Sequence, residues 1–284
     1  MKYIKNQPHY FHFTIDVDYY PGSEKNLINL YNFCDKKGLR PTLFVSGMFA
    51  VKYPHLITEA IKRGYEIGTH GWMHCVNQNE NFQSASYEKQ KKWILLATEA
   101  IKKITKLRPK MFRAPNLNIS TNTFKVLKEQ GYLLDSSIPS RRIGLGHGQI
   151  KKFKQFLAPL EPYYPSDKNL TKKGGNSILE VPPSSFFCPI NMSALRTLGL
   201  PILKWTVKQL FKKTNILVFY LHPIEFVNTA KLQLKKEPRR YRNGLGPQNF
   251  KLLSDFVKFI IDLNYLPKFL GKNIYEKRLN NNKK

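Results

Sequence analysis

The stretch His9–Gly22, HYFHFTIDVDYYPG, decides how the rest of the chain is read. Its aromatic and β-branched run reads as a strand over Tyr10–Asp16, with Asp16 and Asp18 one residue apart at the carboxyl end. Side chains alternate between the faces of a strand, so both carboxylates project to the same side. Two like charges that close need a proton, a cation or a basic side chain between them. The residues that other strands bring to this pair decide among the three.

Beyond this strand the chain alternates helical and extended patterns. An amphipathic helix is expected over Glu24–Lys37, then a strand at Pro41–Ser46, a helix at His55–Arg63 and a strand at Tyr65–Thr69. Ser86–Ile104 carries Trp93, Ala97, Ala100, Ile101 and Ile104 at helical spacing. Lys110–Arg113 reads as a strand, Thr121–Gln130 as a helix and Tyr132–Ser136 as a strand. Ile178–Val181 and Ile216–Leu221 complete seven strand candidates, and a last helix is expected near Gln248–Leu263. Alternation of this kind predicts a parallel α/β architecture, a barrel-like form or an open sheet. No strand is followed by a glycine-rich phosphate loop, which weighs against a nucleotide-binding fold. One domain is expected over 1–275, with a basic insertion or lid at about 139–176 and a disordered basic tail at 276–284.

In parallel α/β folds chemistry gathers at the carboxyl ends of the strands. Here those ends hold Asp16 and Asp18, His70 and His74, Arg113, Asp135, and His222. The four-residue spacing of His70 and His74 places both imidazoles on one face of a helical turn. With one carboxylate they make a His, His, Asp set, the composition of a catalytic metal site that leaves positions for water and substrate. Nitrogen and oxygen donors suit a divalent cation, Zn²⁺ first, with Co²⁺, Mn²⁺ or Ni²⁺ as further candidates. The spare aspartate then takes a proton from the attacking water, with Arg113 holding it ionised. His222 is the candidate proton donor to the leaving group, and Asp135 the carboxylate expected to hydrogen-bond it and raise its pKa. As a set these residues specify metal-assisted hydrolysis of an amide or ester.

These residues, in this order, resemble the polysaccharide deacetylase (NodB-like) family of carbohydrate esterases. The resemblance runs through Thr14-Ile15-Asp16-Val17-Asp18, His70 with His74, Arg113-Ala114-Pro115, Asp135, and Tyr220-Leu221-His222, and spans roughly residues 10–225. It implies a distorted (β/α) barrel of about seven parallel strands and a hydrolase of linear amides. It implies Asp16 as catalytic base, Asp18, His70 and His74 as metal ligands, and His222 as general acid. Tyr19, Trp72 and Asn116 are the candidate substrate contacts. Asn116 stands where polysaccharide-acting members carry Tyr-Gly, and FYLHPIEF and SILEVPPS resemble members acting on small amides or lipid-linked sugars.

Charge adds a second line of inference. Lys+Arg number 47 against 19 Asp+Glu, a net charge of +28 and a pI near 10.0. Such a balance favours an anionic environment: nucleic acid, a lipid headgroup surface or a phosphorylated substrate. No apolar run approaches the roughly 18 residues of a membrane span, and MKYIKNQPHYF lacks the pattern of a signal peptide. Three cysteines without paired spacing (Cys34, Cys75, Cys188) fit a reducing cytoplasm. Pro201–Lys213 reads as a short basic amphipathic helix with Trp205 and Phe211, and Lys151–Phe156 has similar composition. The expected substrate is an acylated amino sugar, carried on a polyprenyl phosphate at the inner membrane face, with peripheral contact to anionic lipid. Rival readings are a deacetylase or deformylase of soluble or cell-wall glycans or small amides, and a D-x-D glycosyltransferase, which leaves the three histidines without a role. Nucleic-acid binding rests on charge alone, and no specific nucleic acid is expected.

Overall fold

The computed structural model describes residues 7–20, 22–74, 80–141, 157–228 and 244–272. Strand β1 (His9–Val17) is its axis. On one side it pairs in parallel with β9 (Ile216–Leu221) from Tyr10 to Ile15, and on the other with β2 (Thr42–Val45) from Thr14 to Val17. β2 pairs with β3 (Glu66–Thr69), which leads through β4 (Met111–Phe112) and β5 (Leu134–Asp135) to β6 (Leu179–Glu180), every pair parallel. Among the described residues the result is a half-barrel of seven parallel strands, with a short strand at Tyr265–Pro267 pairing in parallel with the start of β1 as an eighth member of the sheet. Its open seam is bridged after β6, where the Ser184 amide donates to the Val218 carbonyl of β9 at 3.0 Å.

The period-two pattern of β1 builds two environments. Phe11, Phe13, Ile15 and Val17 join the large cluster under the helices, which includes Leu27, Leu30, Phe219, Phe256 and Ile260. The alternate residues Thr14 and Asp16 meet Arg113 inside the barrel, above a smaller cluster of Phe44, Met111, Leu134, Val181, Val218 and Leu270. The inner lining is thus apolar below and polar at the carboxyl rim.

Eight α-helices are defined among the described residues. They are α1 (Ser23–Lys36), α2 (Gly47–Lys52), α3 (Pro54–Lys62), α4 (Tyr87–Thr105), α5 (Thr121–Glu129), α6 (Met192–Leu198), α7 (Leu200–Phe211) and α8 (Asn249–Asp262). Local chemistry fixes their starts: Pro54 opens α3, and a capping box closes the first turn of α5 between Ser120 and Thr123. The expected strands and long helices appear within two residues of their predicted bounds. Unforeseen are α2, α6, the hairpin of β7 (Ser185–Phe186) and β8 (Cys188–Pro189), and β10 (Tyr265–Pro267), which pairs with His9–Phe11. Each is too short to develop a hydrophobic period of its own. In the expected insertion, Tyr163 bridges antiparallel to Glu180 and its hydroxyl donates to the Leu170 carbonyl at 2.7 Å. Lys151–Phe156 and the tail at 276–284 lie outside the described residues.

Gly68 of β3 shows how tightly the strands are packed. A Cβ there would lie 2.8 Å from the Met111 carbonyl oxygen and 2.9 Å from Cδ1 of Phe44. The first is backbone of another strand, and the second is a fully buried ring. Gly68→Ala is therefore expected to lower stability by about 1–3 kcal/mol, read as a lower denaturant midpoint. Gly175→Ala, where a Cβ meets nothing within 4 Å, is the control and leaves the midpoint in place.

Candidate active site

The rim is organised by Arg113, which follows β4 and has no exposed surface. Its Nη1 donates to Asp16 Oδ1 and Thr14 Oγ1, both at 2.7 Å. Nε donates to the Ser136 carbonyl at 2.9 Å, and Nη2 to Ser136 Oγ at 2.8 Å. The guanidinium carbon lies 4.3 Å from the centre of the Phe44 ring and 5.6 Å from that of Tyr220. Burial alone would raise the Asp16 pKa. The Arg113 charge and hydrogen bond, with His70 and His222 nearby, reverse this and hold the carboxyl below its ordinary value. Asp16 Oδ1 is thereby occupied, while Oδ2 faces His222.

Asp18, two residues on, lies beyond that guanidinium. His70 Nε2 is 3.3 Å from Asp18 Oδ1, and His74 Nε2 is 3.9 Å from Asp18 Oδ2. One ligand atom from each of the three buried residues lies within 4.8 Å of the others. His70 Nδ1 is 2.8 Å from the Arg113 carbonyl, which fixes its proton there and leaves the Nε2 lone pair facing Asp18. Burial lowers the His70 pKa to about 4, so the ring is neutral, as a ligand must be. Asp18 Oδ1 is buried without a hydrogen-bond partner, and burial pushes Asp18 up to about 8. Tetrahedral ligands about 2.1 Å from a cation sit roughly 3.4 Å apart, so these separations and this orphaned oxygen fit a divalent metal. The histidines do not share a helical turn, as their spacing suggested. Residues 70–74 form a loop in which Gly71 takes φ +73°, and a Cβ there would reach 2.4 Å from Glu80 Oε2. The loop still brings the two ring centres within 5.5 Å.

His222, just past β9, faces both aspartates: its Nε2 is 4.0 Å from Asp16 Oδ2 and 3.9 Å from Asp18 Oδ2. The carboxylate expected to support it was Asp135, and this expectation is corrected by the structure. Asp135 Oδ1 instead accepts from Ser137 Oγ at 2.7 Å, and Ser137 Oγ accepts from the Ala114 amide at 2.8 Å. Asp135 also pairs in register with Glu180, and burial raises both acids, Asp135 to about 6. Its work is to hold the Arg113–Pro115 loop. The carboxylate at His222 belongs to Glu225, with Oε2 3.5 Å from Nδ1 and 2.9 Å from the His222 amide. Glu225 in turn pairs with Arg196 at 3.3 Å, both almost fully buried. Burial opposes the charged imidazole, but Glu225, Asp18 and Asp16 together raise its pKa to about 9.

The candidate substrate contacts divide. Tyr19 lines a cleft of about 650 Å³ with Tyr20, Lys52, Tyr53, Phe226 and Asn228. Lys52 Nζ donates to its hydroxyl at 2.8 Å. Asn116 sits half-buried in the turn after Arg113-Ala114-Pro115 with φ +55°. Trp72 is turned to packing: its ring occupies the space a Cβ of Gly47 would fill, and its amide donates to Glu80 Oε2 at 2.8 Å.

The family model named Polysaccharide deacetylase matches residues 5–134, the segment that supplies Asp16, Asp18, His70, His74 and Arg113. The match takes in a little under half of the chain, and over it the chain is similar to the polysaccharide deacetylase family. Across 91 residues it is 34% identical to a peptidoglycan-N-acetylglucosamine deacetylase of Bacillus cereus; the match covers 32% of this chain and 40% of that protein's length. A provisionally assigned polysaccharide deacetylase from Mycobacterium smegmatis has the same fold, with a TM-score of 0.57, 17% identity and 96% of both chains covered. So does a CE4 family pseudoenzyme from Bacillus anthracis, at 0.55 and 10% identity, over 91% of this chain and 63% of that one. The fold is therefore that of the deacetylases, and activity has to be argued from the side chains.

Glu225 is the site residue that the sequence reading missed, although the spacing in His222-Pro223-Ile224-Glu225 matches a capping turn. Removing its charge should let burial dominate at His222. In Glu225→Gln the imidazole resonance, followed by NMR, is expected to titrate at least about one unit lower than in the unaltered protein. Asp135→Asn should leave it in place. A shift in Asp135→Asn alone would return that role to Asp135.

Proposed function

We propose that the chain is a metal-dependent N-deacylase that frees the amino group of an acylated amino sugar. The observation that carries this reading is the single rim where Asp16, ionised by Arg113, and a charged His222 flank the Asp18, His70 and His74 donor set. A divalent cation held by Asp18, His70 and His74, Zn²⁺ by the nature of its donors, supplies Lewis acidity to the acyl carbonyl and to water.

The protein's own groups carry the protons. Asp16 Oδ2 accepts the proton of the attacking water, while Arg113 on Oδ1 keeps the carboxylate ionised and aimed. His222, kept protonated by Glu225, donates from Nε2 to the departing nitrogen as the carbon–nitrogen bond breaks. Water and amide leave as a carboxylic acid and an amine, and proton exchange between Asp16 and His222 resets the pair. The cleft beside Tyr19 offers aromatic faces to a sugar and the ammonium groups of Lys25 and Lys52 to a phosphate. This favours a sugar linked to a polyprenyl phosphate at the inner membrane face as substrate. The Bacillus cereus relative, named for peptidoglycan, favours a second substrate, N-acetylglucosamine in a glycan chain.

Acetate or formate release by the purified, metal-loaded protein, from soluble amidated oligosaccharides and from polyprenyl-phosphate sugars, tests the reading. Asp16→Asn is expected to lower kcat by about 100-fold or more, because an amide cannot take the proton. Undiminished turnover would remove Asp16 as base, and turnover on soluble glycans alone would remove the lipid-linked substrate.

A further inference from the structure

Between Glu180 and Glu225 the chain contains no acidic residue, and Arg196, Lys204, Lys208, Lys212 and Lys213 all fall within that stretch. Its exposed residues lie on α7, on the β7–β8 hairpin and at the end of α6. Leu203, Thr206, Val207 and Leu210 bury one face of α7 against the barrel. The opposite face presents Pro201, Ile202, Trp205, Lys208 and Lys212 to solvent, a stripe at spacings of three and four that passes from apolar to basic. Ile202 is 46% exposed and Trp205 53%. Phe187, on the turn of the hairpin, is 47% exposed. Phe186 joins the two pieces, its ring centre 4.7 Å from that of Phe187 and 6.3 Å from that of Trp205, with Lys213 Nζ 5.8 Å from its centre.

We propose that this face, built on Phe187, Ile202, Trp205, Lys208 and Lys212, docks the protein on an anionic lipid bilayer. Exposed aromatic and aliphatic side chains beside lysines, without interspersed acids, are what an interfacial helix needs: apolar groups to enter the headgroup region and cations to meet its charge. A second copy of the chain is disfavoured as occupant, since a self-complementary contact would set lysines against lysines. Because α7 leads into the amino-terminal end of β9, its own first turns lie toward the opposite end of the barrel, the rim that carries His222. The apolar end of the stripe is therefore the end nearer the catalytic groups. The inference gives the lipid-linked substrate of the proposed function a docking surface, but the experiment measures binding without turnover, so each can fail alone.

Flotation of the full chain with phosphatidylcholine vesicles, with or without about 30 mol% phosphatidylglycerol, is the test. Net charge alone would bind the anionic vesicles, so the decisive variant keeps all charges: Phe187→Ser, Ile202→Ser and Trp205→Ser together. The unaltered protein is expected to prefer anionic vesicles at least tenfold, and to stay partly bound in about 0.5 M salt, where exposed charges are screened within a few Å. The triple variant should bind at least about tenfold more weakly, because the apolar part of interfacial binding scales with buried area. Lys208→Glu with Lys212→Glu should lower the preference for anionic lipid by about tenfold without abolishing it, because the rest of the chain stays strongly cationic. Equal binding by the triple variant and the unaltered protein would overturn the proposal. So would release of the unaltered protein by a short DNA duplex that the triple variant no longer binds, which would assign the face to nucleic acid. Quenching by brominated lipid guards against misfolding of the triple variant. It should fall sharply in Trp205→Phe, and unchanged quenching there would also overturn the proposal.

Discussion

A guanidinium with no exposed surface sits inside this barrel, and the rest of the site depends on how Arg113 is satisfied there. A buried charge is tolerated only when paired and hydrogen-bonded. Here the pair is Asp16, and the remaining donors find Thr14 and Ser136. Phe44 and Tyr220 stack around the guanidinium carbon. Strands β1, β2, β4 and β9 and the turn after β5 thus meet at one side chain. The seven-strand architecture brings these elements to one axis, and Arg113 holds their carboxyl ends in one geometry.

That side chain also breaks the symmetry of the aspartate pair. Asp16 lies in β1 and Asp18 one residue past its end, both buried to a like depth, yet the guanidinium reaches only one of them. Asp16 is held ionised. Asp18, facing the neutral imidazole of His70 and the ring of His74, is pushed up to about 8 by burial and keeps one oxygen without a partner. Of the three ways to reconcile two adjacent carboxylates, a basic side chain serves the first and a cation fits the second. His222 completes the division on the opposite side, raised to about 9 by carboxylates that outweigh its own burial.

Much of this was legible in the sequence, because the signals that matter are periodic or terminal. The strand at Ile216–Leu221 and the amphipathic helices declare themselves through spacing, and polar residues at strand ends converge in any parallel barrel. What escaped depends on distance through space. Asp135 and Glu225 are both carboxylates near strand ends, and only the capping spacing of His222-Pro223-Ile224-Glu225 points to the one that reaches His222. Trp72 looks like a sugar platform until Gly47 is found beneath its ring. The H-x-x-x-H spacing suggested a helical turn, but Gly71 at positive φ bends the segment into a loop that reaches the same convergence another way.

The division of labour between Asp16 and Asp18 is the claim on which the account stands, and metal content tests it most directly. Bound divalent ion per chain, measured by mass spectrometry after dialysis against a defined metal buffer, should be close to one in the unaltered protein and in Asp16→Asn. In Asp18→Ala, metal affinity should fall by about 10-fold or more, as expected when a ligand carboxylate is lost. Loss of the metal in Asp16→Asn with its retention in Asp18→Ala would contradict the account.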